Sequence, residues 1–91
     1  MIDQYADLEA KLEAVKTCRQ LEHAVEMCKM GVVNKGIIYK IAAETDYGVH
    51  QGGAERSINC VFTAEESAKI FQAVEEMLTV RLTETKAKLG F

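Results

Sequence analysis

Residues 36–62 read GIIYKIAAETDYGVHQGGAERSINCVF, and the apolar spacing changes inside them from the helical repeat to alternation. From Gly36 to Glu44 the chain is rich in β-branched and aromatic residues. In an extended strand Ile37, Tyr39 and Ile41 share one face, and Ile38, Lys40 and Ala42 the other. From Ser57 to Phe62 the alternation returns, with Ile58, Cys60 and Phe62 on one side and Ser57, Asn59 and Val61 opposite. Two alternating runs in succession predict an antiparallel hairpin, here with a long glycine-containing connection from Thr45 to Arg56.

Both flanks are helical. On the N-terminal side Tyr5, Leu8, Leu12, Val15, Cys18, Leu21, Val25 and Cys28 recur at gaps of three or four, in a segment without proline or glycine from Ile2 to Met30. Asp3 is the expected N-cap, Gly31 the expected stop, and Lys29 lies in the expected last turn. The gaps run 3, 4, 3, 3, 3, 4, 3, so the heptad breaks near Cys18. A globular or bundle-like helix is expected rather than a sustained coiled coil.

On the C-terminal side Thr63 and Glu66 have the spacing of a capping box. A stripe of Ile70, Phe71, Val74, Met77, Leu78 and Leu82 follows, with Lys86 and Lys88 near the end and Gly90 as terminator. The fold class expected is α+β, in the order helix–β-hairpin–helix (αββα). Two long amphipathic helices would pack on a two-stranded antiparallel hairpin, the whole of 1–91 forming one domain.

Self-association is part of that expectation. The two helices are each longer than the ~30 Å diameter of a compact sphere of this length. Apolar residues nevertheless continue to their ends, at Tyr5, Leu8, Leu82 and Leu89. A hairpin of two strands also leaves two open edges. A homodimer resolves both difficulties.

The composition narrows the function. The net charge is −3, from 11 basic and 14 acidic side chains, and no basic stripe is visible, so nucleic acid is not an expected partner. The basic residues Lys35, Lys40 and Arg56 are more simply read as protecting a strand edge. No apolar run is long enough to span a membrane and no secretory leader is recognisable, so a cytoplasmic location without membrane attachment is expected. Cys18, Cys28 and Cys60 are read as inward-facing free thiols of a reducing compartment.

No catalytic constellation is apparent: the chain has two histidines, and none of its cysteines has a base nearby in sequence. His23 and Glu26 lie three apart on the first helix, but the last helix carries no histidine to complete a metal site. No enzyme activity, metal or cofactor is therefore expected. The candidate site is the connection itself: Asp46, Tyr47, Gly48, His50, Gln51, Gly52 and Gly53, with Tyr47 and His50 as aromatic anchors.

The expected function is a small protein-interaction module, an adaptor, regulator or inhibitor of a larger protein partner. By analogy of size and composition alone it is comparable to inhibitors that phages carry against host systems. The alternative is a small-ligand protein, holding a nucleotide or other anion on the 46–55 loop at an oligomer interface. The spacing of a phosphate-binding fingerprint is absent from that loop.

Overall fold

A computed structural model describes residues 4–46 and 53–90. The element order is α1 (Gln4–Val33), β1 (Ile41–Asp46), β2 (Gly53–Ile58) and α2 (Ala64–Lys88), so the helix–hairpin–helix order of an α+β chain is present. The two strands pair antiparallel, from Ile41 opposite Ile58 to Asp46 opposite Gly53. The molecule is elongated and flat, with extents of 57 × 40 × 14 Å and a radius of gyration of 17.3 Å. A compact chain of this length would have a radius of gyration of ~12 Å.

One expectation of the packing is overturned. The helices do not lie on the hairpin; they pack on each other, and neither touches a strand. Among the described residues the buried apolar side chains are Cys18, Leu21, Val25 and Cys28 of α1. Facing them from α2 are the half-buried Ile70, Phe71, Val74, Leu78 and Leu82. The strands offer no apolar face that could replace this one. Ile41 and Ala43 point to one side with Arg56 and Ile58, while Ala42 and Glu44 point to the other with Glu55 and Ser57. All eight are exposed.

The strands also lie farther out than the residue pattern suggests. Residues 36–40 and 59–63 are outside the ladder and form two legs that join the ribbon to the helices. Where the legs meet, the Phe62 N–H donates to the Ile38 carbonyl at 2.8 Å. The ladder register would place Val61 there, so this bond is one residue out of step. The Ile38 N–H is taken by α2 instead, donating to Ser67 Oγ at 3.0 Å. Ser67 is fully buried. Cys60 is exposed, where alternation had placed it inward with Ile58 and Phe62. Ile58 is exposed as well, and of the three only Phe62 is half-buried.

Gly31 does not stop α1. The helix continues to Val33 and closes with Lys35 in the left-handed region at φ 55°. The Gly36 N–H returns to the Gly31 carbonyl at 2.8 Å, and the Lys35 N–H to that of Val32 at 3.2 Å, which together make a Schellman closure. Lys29 accordingly falls outside the last turn, which has no basic residue. Gly31 serves the helix crossing instead: a Cβ there would lie 2.7 Å from the Phe71 ring.

The second helix follows the sequence closely. Glu66 N–H donates to Thr63 Oγ1 at 3.1 Å and Thr63 N–H donates to Glu66 Oε1 at 2.9 Å, completing the capping box. Gly90 closes it at φ 87°. Met77 departs from the expected stripe and is exposed. Asp3, the expected cap of α1, lies outside the described residues.

Candidate functional surface

The ribbon carries two residues of the candidate site, Asp46 and Gly53. Asp46 and Gly53 are brought together as the last described pair of the ladder. Tyr47, Gly48, His50, Gln51 and Gly52, the rest of the candidate site, lie outside the described residues. Below them Glu44 and Glu55 face each other across the strands, both exposed. Like charges directly opposite one another weaken a pair of strands. They also make the approach to the loop acidic. Together with Ala42 and Ala43 they line a shallow open depression.

Two clefts open along the described residues of the helix pair. One, of about 380 Å³, lies where α2 ends against the middle of α1 and is lined by Val15, Cys18, Arg19, Glu22, Lys86 and Leu89. Lys86 Nζ and Glu22 Oε1 stand 3.4 Å apart across it. The other, of about 360 Å³, lies beside the Gly31 crossing among Met27, Cys28, Met30, Gly31, Asn34 and Phe71. Its lining is mostly apolar, and Met27 and Met30 are exposed at its rim. Unbranched thioether side chains repack easily around different partners. Neither cleft was visible in the sequence, since each depends on how the helices cross.

Burial, and secondarily the Glu75 carboxylate, push the Cys28 thiol above its ordinary value, which disfavours the thiolate a nucleophile needs. Cys18 is buried too. His23 and Glu26 are exposed on α1. Among the described residues no three His, Cys, Asp or Glu side chains are placed to hold a metal ion. Among the same residues no helix is long and apolar enough to cross a membrane. The chain matches no family model, no curated protein and no solved structure.

Proposed function

We propose that the chain is a non-enzymatic protein-interaction module, an adaptor, regulator or inhibitor that presents its ribbon to a larger protein. The observation that carries this reading is the isolation of the ribbon, exposed on both faces and untouched by either helix. Two strands alone are marginally stable. Such an element is better suited to being gripped by a partner, through its open edges or its tip, than to shaping a core. Residues 46–55, which include the facing ends of the two strands and the connection between them, are the proposed contact, with Tyr47 and His50 as anchors. The molecule is proposed to act as a homo-oligomer.

The test compares the whole protein with a variant in which residues 42–57 are replaced by a short turn, leaving the helix pair. Both are used to capture proteins from a native lysate. A protein retained by the whole chain and lost with the ribbon supports the reading. Equal retention by both, or no retention together with a nucleotide that raises the melting temperature, overturns it. The alternative, an anion bound at the loop, is weakened by the facing carboxylates of Glu44 and Glu55 at its base.

A further inference from the structure

We propose that a second copy of this chain covers the exposed apolar stripe at the N-terminal end of α1, running antiparallel to it. This deepens the proposed homo-oligomer by naming its surface, and it is independent of what the ribbon binds.

The helices are unequal partners. Leu89, at the end of α2, lies level with Val15 and Cys18 in the cleft they share. Gln4–Ala14 therefore extends beyond α2 by roughly 16 Å, at 1.5 Å per residue. Leu8 and Leu12 in this overhang are 57% and 60% exposed, and Tyr5 is 71% exposed.

The break in the heptad explains why. Tyr5, Leu8, Leu12 and Val15 follow a 3-4-3 spacing, and so do Cys18, Leu21, Val25 and Cys28. Between the two sets the step from Val15 to Cys18 is three where the repeat needs four. A slip of one residue turns the second set by ~100° around the helix. The second set meets α2 and is buried. Of the first set, Leu8 and Leu12 stay exposed, while Val15 is half-buried and turns to the cleft at the end of α2.

The exposed area is on the scale of a subunit interface. The chain exposes 7581 Å², about 2,300 Å² more than the ~5,300 Å² expected of a folded monomer of its mass. The ribbon and the α1 overhang share that excess, and a standard interface takes ~800 Å² per partner.

Charge selects the orientation. Paired parallel, heptad geometry sets Lys11 of one copy against Lys16 of the other, twice. Paired antiparallel with Leu12 against Val15 of the second copy, Glu9 meets Lys16 on both sides. In that register Leu8 lies along the aliphatic stem of the second copy's Arg19, and Tyr5 reaches its cleft beside Glu22. Val15 belongs to both the stripe and the cleft, so the surface is continuous.

Sedimentation of the full chain tests the proposal. The wild type is expected at twice 10.1 kDa and Leu12→Asp at the monomer mass. Lys16→Glu is expected to weaken association on the order of tenfold. Glu9→Lys combined with Lys16→Glu is expected to restore it, and this swap leaves the apolar stripe intact should Leu12→Asp fail to fold. A wild type that stays monomeric at 100 times its working concentration overturns both the homo-oligomer and this interface. A dimer indifferent to Leu12→Asp, tightened by Lys16→Glu, or not restored by the swap overturns this interface alone. Ribbon-dependent capture is unaffected by any of these results.

Discussion

Ser67 and Gly31 hold the junction between the helix pair and the ribbon, each by a different means. Ser67 gives a part-buried backbone N–H its acceptor at the start of the first leg. Ser67→Ala leaves the Ile38 N–H unpaired and should cost about 1–3 kcal/mol in urea unfolding, a loss that Ser67→Thr would not reproduce through the same mechanism. Gly31→Ala drives a methyl into the Phe71 ring. The overpacking should cost about 1–3 kcal/mol, against about 1 kcal/mol gained in helix propensity. Phe71→Leu in the same chain should recover most of the loss, which a double-mutant cycle would read. Neither role was legible in the residues themselves. A glycine that ends a helix and a glycine that admits a ring look alike until Phe71 is placed against it, and a serine one turn into a helix gives no sign of the amide it will serve.

At the scale of elements, what the sequence reveals depends on how local the cause is. The capping box is written in four consecutive residues and forms as expected. Its backbone and hydroxyl hydrogen bonds to Thr63 hold the Glu66 carboxyl below its ordinary value, with a smaller effect from Lys69. A lowered carboxylate pKa adds stability that is complete above the unfolded value and is lost as pH falls through the folded one. Wild type and Glu66→Gln should therefore differ at pH 7 and converge in acid, as followed by urea unfolding. Thr63→Ala should cost about 1 kcal/mol at pH 7.

The ribbon is the opposite case. The strongest β-propensity, Ile37–Ile41, falls mostly in a leg, because α2 takes the Ile38 N–H and the ladder forms farther out among alanines and glutamates. Propensity located the hairpin but not its register. Since Glu44 and Glu55 oppose each other, Glu55→Lys should steady the strands by about 0.2–1 kcal/mol, visible as slower amide exchange at residues 41–46. The candidate loop was recognisable only as the polar, glycine-containing stretch between two strands.

For the molecule as a whole, helices too long for a compact sphere were legible in the residue pattern. It could not say that they would pack on each other and leave the ribbon bare, because that choice depends on three-dimensional complementarity at Gly31 and Phe71. Self-association through α1 would couple folding to protein concentration. The melting temperature should then fall on dilution for the wild type and stay fixed for Leu12→Asp, as followed by circular dichroism.

The 14 Å short axis is little more than the ~10–12 Å girth of one helix. A sheet of matter so thin shields few of its own atoms. Against the ~14,600 Å² of an extended chain of this mass, only about half the surface is withdrawn from water, where even shorter domains withdraw ~60%. Heat capacity increment and denaturant sensitivity both scale with that withdrawn area. A lone copy should therefore melt over a broad range with a shallow urea slope, and the steepness of the transition becomes a direct gauge of how much of the protein is assembled.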